Sequence, residues 1–183
     1  MLNWLPMPPA AFRIETERLV IRPWQPADEA GFRRMVGDPV MMRYISRGIP
    51  WSEERIAEFF GRQSRHLANR GFCLGALVAR DSGELAGLSG LQPLGTTGEV
   101  EVGWWVMPEL WGQGLGTEAG AGCLGYAWDT LNLRRVTAIA FPDNGPSRRI
   151  MEKLGMRFER QATGRELGLA ALEVEVVLYA LER

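Results

Sequence analysis

The stretch VEVGWWVMPELWGQGLGTEAGAG, residues 100–122, decides how this chain folds. It opens as an apolar, Trp-rich strand pattern that stops at Met107-Pro108. Glycine then stands at every second position, Gly112, Gly114 and Gly116, and a helix-like pattern follows. Glycine loses more conformational entropy on folding than other residues, so the cluster needs an offsetting reason. A GxxxxGK[ST] phosphate loop is excluded, because Lys153 is the only lysine in the chain. A dinucleotide fingerprint is nominally present in Gly114-Leu115-Gly116-Thr117-Glu118-Ala119. Its acidic partner should stand about 20 residues on, where the chain has Arg134 and Arg135. The strand before it carries Glu99 and Glu101, whereas a central parallel strand is apolar on both faces. Two readings remain. Alternate glycines expose successive N–H groups to an anion such as a pyrophosphate, aided by the helix that begins near Gly116. Or the glycines serve only a tight strand-to-helix turn.

Working outward, ERLVIRP (17–23) reads as a strand and PADEAGFRRMVGD as a short helix with Phe32, Met35 and Val36 on one face. In WSEERIAEFFGRQSRHLANRG, Ser52 is the expected N-cap and Gly71 the expected stop. Ile56, Phe59, Phe60 and Leu67 form its apolar stripe. Strands follow at 72–80, 85–94 and 100–108, joined by the tight turns DSGE and GTTGE, which predicts antiparallel hairpins. Next come a helix at 117–132, a buried strand at 134–142, a short helix in DNGPSRRIMEKLGM and a closing strand at 172–182. The order β-α-α-β-β-β-α-β-α-β predicts a mixed, mostly antiparallel sheet flanked by helices, an α/β (α+β) fold. Residues 1–13 are expected to form an arm and 14–183 the single domain.

Composition narrows the function classes. Apolar residues make up 46% and charged residues 23%, as in an ordinary globular protein. The net charge of −1 gives no global field for nucleic acid. Cys73 and Cys123 stand alone in apolar runs and read as core thiols. His66, the only histidine, leaves no His-cluster metal site and no His-dependent triad; its polar neighbours suggest a solvated helix face. No apolar run reaches the ~20 residues of a membrane span, and MLNWLPMPPAAF is unlike a signal peptide. A cytoplasmic protein, monomer or homodimer, is the expectation.

Four motifs in order carry a resemblance: IETERLVIRPWQPADEAGF (14–32), EVGWWV (101–106), ELWGQGLGTEA (109–119) and RRVTAIAFPDNGPSRRIMEKLGMRFE (134–159). The chain resembles the GNAT superfamily of acyl-CoA-dependent N-acyltransferases, and within it the branch of the ribosomal-protein alanine and serine N-terminal acetyltransferases. The resemblance implies acetyl-CoA as donor. It implies that backbone groups of Trp111, Gly112, Gln113, Gly114, Leu115, Gly116 and Thr117 hold the pyrophosphate. The main chains of Trp105 and Val106 would pair with the pantetheine amides like an added strand. Asn144 would bond the same arm, and Ser147 would lie near the CoA sulfur. Met151 stands where many members carry a tyrosine general acid.

An alkylammonium acceptor, with a pKa of ~10, must lose a proton before it attacks. With no usable histidine, a carboxylate is the simplest base: Glu101 first, Glu99 second, directly or through water. An N–H at a β-bulge near Val106 could stabilise the oxyanion, and Ser147 could protonate the leaving thiolate. The resemblance places the acceptor cleft in VMMRYISRGIPW (40–51), with Met41, Met42, Tyr44 and Trp51 as its apolar wall. Arg43 and Arg47 could meet an acidic group, or form a packed loop and a surface pair. The acceptor is expected to be an amine, at a protein N-terminus or on a small molecule. The alternative is a non-catalytic acyl-CoA-binding regulatory or structural protein.

Overall fold

The computed structural model describes residues 12–169 and 173–183. Strands β1 (Ile14–Glu15) and β2 (Leu19–Arg22) lead through a short 3-10 turn into helices α1 (Glu29–Gly37), α2 (Pro39–Met42) and α3 (Glu53–Arg70). Strands β3 (Leu74–Ala79), β4 (Leu85–Pro93) and β5 (Val100–Val106) follow, then α4 (Leu115–Asp129), β6 (Arg135–Ala140), α5 (Gly145–Lys153), β7 (Arg157–Thr163) and β8 (Glu175–Glu182). The strands form one sheet in the order β1-β2-β3-β4-β5-β6-β8-β7. Every neighbouring pair is antiparallel except β5 and β6.

Local chemistry explains the element ends. Ser52 Oγ accepts from the Arg55 N–H, and Gly71 closes α3 at φ 77°. Asn144 Oδ1 accepts from the Ser147 N–H and caps α5. One sheet face packs Val102, Trp104 and Val106 against Ala119, Cys123 and Ala127 of α4 and Met151 of α5. The other packs Leu74, Ala76 and Leu88 against Phe32 of α1 and Phe59 and Phe60 of α3, around Trp24. Phe32 stacks on Phe59 at 4.9 Å between centroids. Both cysteines are buried.

Three elements go beyond the sequence expectation. Strand β7 has the sequence RFERQAT, and of its side chains only Ala162 is buried. Its two-residue apolar alternation is absent because it is an edge strand, lined with charge as edges are. The two-residue β1 and four-residue α2 are too short to leave a periodic signal. The closing strand starts at Glu175; Leu172, where it was expected to start, and residues 1–11 of the expected arm lie outside the described residues. His66 is partly buried, not solvated, and its Nδ1 is buried without a partner. Burial, then Arg62, Arg70 and Arg65, lowers its pKa.

The parallel pair positions the site. β5 and β6 share register only at Glu101 and Thr137. There Thr137 Oγ1 donates to the Val100 carbonyl at 3.1 Å, and Arg135 Nε donates to Glu99 at 2.7 Å. Beyond this clasp the strands part, and the N-terminal ends of α4 and α5 close onto the gap.

Candidate active site

The gap is a cleft of about 500 Å³. Of the residues expected to hold donor or acceptor, Met41, Tyr44, Glu101, Trp105, Val106, Trp111, Gly112, Gly114, Leu115, Gly116, Thr117, Asn144 and Ser147 line it. Gln113, Glu99 and Trp51 do not. A larger hollow of about 720 Å³ lies next to it, between α1, the β3–β4 turn and the glycine loop. Its buried acid, Asp28, is held by two bonds from Arg22 at 2.7 and 2.9 Å, whereas the buried acid of the smaller cleft is Glu101.

Glu101 is 8% exposed. Burial pushes its carboxyl up to about 7, against a pull downward from Gln92. The Gln92 amide donates to Oε2 at 3.1 Å. The two residues face each other in the β4–β5 register. Glu99, expected as the second candidate base, is instead an ion-pair partner of Arg135 outside the cleft. It precedes β5, where the clasp to β6 claims its side chain.

The backbone of β5 corrects a second expectation. The Trp105 carbonyl points at β4, where it would meet a Cβ on Gly87 at 1.9 Å. The Met107 N–H and the Gly103 carbonyl also bond toward β4. By strand alternation, the main-chain groups that face the cleft are those of Trp104 and Val106, not Trp105. The Val106 carbonyl already accepts from Trp111 Nε1 at 2.6 Å. The bulge expected near Val106 is absent too. The β4–β5 register runs unbroken from Gly87–Val106 to Pro93–Val100, and the irregularity lies between β3 and β4, at Leu77/Val78.

The three glycines divide their work. Gly112 and Gly114 have φ of 78° and 80°, which side chains disfavour. Gly116 sits in α4, where a Cβ would stand 2.9 Å from Ile150 Cδ1. The glycines therefore serve both the loop's left-handed backbone and the close packing of α4.

At the end of the cleft expected to take the acceptor, Tyr44, like Ile139 and Leu169, packs against the cluster that holds Phe141, Leu167 and Leu178. Trp51 lies behind the cleft, edge-on to Trp105 at 5.5 Å, and belongs to the core beside α3. Arg43 lies over the Tyr44 ring, and Arg47 lies over Phe141 and 3.9 Å from Asp143.

Residues 18–157 match the family model described as "Acetyltransferase (GNAT) domain". The chain is a GNAT acetyltransferase. It is 30% identical over 146 residues to the uncharacterized N-acetyltransferase YnaD of Bacillus subtilis, across 80% of this chain and 83% of that one. It superposes on an acetyltransferase from Agrobacterium tumefaciens with a TM-score of 0.79 and 22% identity, covering 98% and 97% of the two chains. It also superposes on RimL, a ribosomal alpha-N-protein acetyltransferase in complex with coenzyme A, with a TM-score of 0.71 and 15% identity, covering 93% and 97%.

In this GNAT chain, sequence reasoning missed Gln92, Arg149 and Lys153. The cations Arg149 and Lys153 line the cleft from α5. Gln92 was findable: it and Glu101 stand symmetrically about the Thr96–Thr97 bond of the turn. Met151, where many members carry a tyrosine, is a core residue 1% exposed. Among the described residues no group of His, Cys, Asp and Glu side chains could hold a metal ion, and no helix is long and apolar enough to cross a membrane.

Proposed function

We propose that the protein transfers an acetyl group from acetyl-CoA to a primary amine, on a protein N-terminus or a small molecule, by direct attack in a ternary complex. The observation that carries this reading is Glu101. It is a buried carboxyl brought to about 7, beside the point where β5 and β6 part. Such a group accepts a proton near neutral pH and releases it to solvent afterwards.

Bound acetyl-CoA supplies a thioester carbonyl open to attack and a thiolate that leaves readily. The chain's own groups do the rest. N–H groups of Gly112 to Gly116 and the start of α4 face the pyrophosphate. Arg149 and Lys153 add positive charge on the opposite wall. The Val106 N–H and the Trp104 main chain pair with the pantetheine arm, and Asn144, its Oδ1 spent on the cap, offers its amide N–H groups. Glu101, directly or through water, takes the proton from the ammonium. Ser147 protonates the departing thiolate and is reprotonated by the second proton that the attacking nitrogen sheds as the amide forms. Met41, Tyr44 and Ile45 form an apolar wall that strips water from the acceptor.

Thiol release from acetyl-CoA, followed across a panel of small amines and N-terminal peptides, tests the proposal. Turnover is expected with at least one class. Tight CoA binding with no thiol release for any acceptor would overturn it. Gly114→Val is expected to weaken CoA binding, since Val cannot adopt the 80° φ without strain.

A further inference from the structure

Two motifs of the sequence are one physical unit. Thr16 and Arg18 flank the β1–β2 turn, and Glu118 sits in the first turn of α4. Thr16 Oγ1 donates to Glu118 Oε1 at 2.6 Å, and the Arg18 N–H donates to the same oxygen at 2.8 Å. Arg18 Nε donates to Oε2 at 2.6 Å. Burial alone would raise the Glu118 carboxyl, but the bonds from Thr16 and Arg18 hold it below its ordinary value. The anchored guanidinium then reaches the glycine loop: Arg18 Nη1 donates to the Gln113 carbonyl at 3.0 Å.

That last bond matters because it falls at the tip of the loop, between the Trp111 Nε1 bond to the Val106 carbonyl at 2.6 Å and the Glu118 N–H bond to the Gly114 carbonyl at 3.0 Å. A Cβ on Gly112 would meet no atom within 4 Å, and one on Gly114 would meet only Arg18 Nη2, at 3.8 Å. At these two glycines, Arg18 is the neighbour that a Cβ would approach. In a trans peptide the carbonyl of one residue and the N–H of the next point in opposite directions. None of the described peptide bonds is cis. Gln113 lies on the hollow beside α1 and Gly114 on the cleft. Holding the Gln113 carbonyl on the Arg18 side thus turns the Gly114 N–H toward the cleft.

We propose that Arg18, anchored by Glu118, is a positioning residue for the donor: it fixes the Gln113–Gly114 peptide so that its N–H faces the CoA pyrophosphate. This rests on the functional reading above. Glu118 neutralises Arg18, so the pair supplies orientation rather than attraction.

The test is calorimetric CoA binding by the full chain and its variants. Arg18→Met keeps both the Thr16 and the backbone bond to Glu118, so the fold stays anchored, as a thermal melt checks. It is expected to weaken CoA binding about tenfold, the scale of one hydrogen bond to a charged group. Glu118→Gln, which releases the guanidinium, is expected to weaken it in the same direction. On an acceptor found in the amine screen, the KM for acetyl-CoA should rise while kcat holds. S-acetylpantetheine, which has no pyrophosphate, should be used as well by the variants as by the wild type. Arg18→Met binding CoA like the wild type would overturn the proposal. Tighter binding by Glu118→Gln would also do so, because Arg18 would then act as a direct charge on phosphate. So would a parallel loss with S-acetylpantetheine, which would mark a general structural role. No CoA binding by the wild type would instead refute the functional reading itself.

Discussion

As the proposed base, Glu101 carries opposed demands: that role needs it ionised to take a proton, yet it sits where ionisation is costly. Its carboxyl moves from 4.5 to about 7 on folding. Between those values the folded state keeps a proton that the unfolded chain has lost, so stability falls as pH rises through this window. The full loss is about 3 kcal/mol. Glu101→Gln should therefore be more stable than the wild type above pH 7 and no different below pH 4.5, as urea unfolding at several pH values would measure. The same variant should lose roughly 10²-fold or more in kcat/KM and the acidic limb of the pH–rate profile. An unchanged rate at neutral pH would remove Glu101 from the chemistry. Gln92→Leu deletes the bond that favours the charged form. It should move the acidic limb further above 7, with loss of rate at pH 7 that narrows at pH 9.

At the scale of the element, α4 shows why one residue type recurs for different reasons. A Cβ on Gly120 would stand 2.6 Å from Leu154 Cδ1 and 3.2 Å from Trp104 Cε3. Gly120→Val should cost about 1–3 kcal/mol through overpacking and lift α4 off β5. On Gly125 a Cβ would meet nothing within 4 Å. Gly125→Ala should instead stabilise the protein, by up to about 1 kcal/mol. Denaturant midpoints for the pair would check both signs. Caps were legible from local chemistry: Ser52, Gly71 and Asn144 each perform the role their residue type suggests. Strand β7 was not, because it is an exposed edge held by its ladder with β8, with no apolar alternation of its own.

Across the whole molecule, Arg135 ties the sheet together below the cleft. It reaches Glu99 before β5 at 2.7 Å, Glu159 of β7 at 2.6 Å and Glu182 of β8 at 3.6 Å. The Glu159 and Glu99 carboxylates hold its guanidinium more firmly charged than usual. The network is partly solvated, so Arg135→Met should cost only about 1 kcal/mol. The loss should appear as faster amide exchange at β7 and near the β5–β6 clasp, with α3 unaffected. Uniform protection across the sheet in the variant would contradict this. Burial pushes the Cys73 and Cys123 thiols up to about 12. Neither should react with iodoacetamide until the protein is unfolded, which mass spectrometry would reveal.

By itself, the sequence determined the longer, patterned elements, the hairpins, the helix caps and the glycine stretch that lines the cleft. Those rest on short-range chemistry: two- and 3.6-residue periods, turn residues and φ-positive glycines. It also singled out Glu101, because an acid inside a strand bounded by apolar residues is conspicuous. Only the tertiary structure gave Glu101 and Glu99 different surroundings. Both have the same parity along the chain, and what separates them is Arg135, which arrives from β6. Tertiary structure likewise turned the Trp105 carbonyl toward β4, moved Trp51 from the cleft wall into the core, and joined Arg18 to Glu118 across 100 residues. Each of these depends on which strand or helix lies alongside. That is set by the packing of the whole sheet, and no local pattern encodes it.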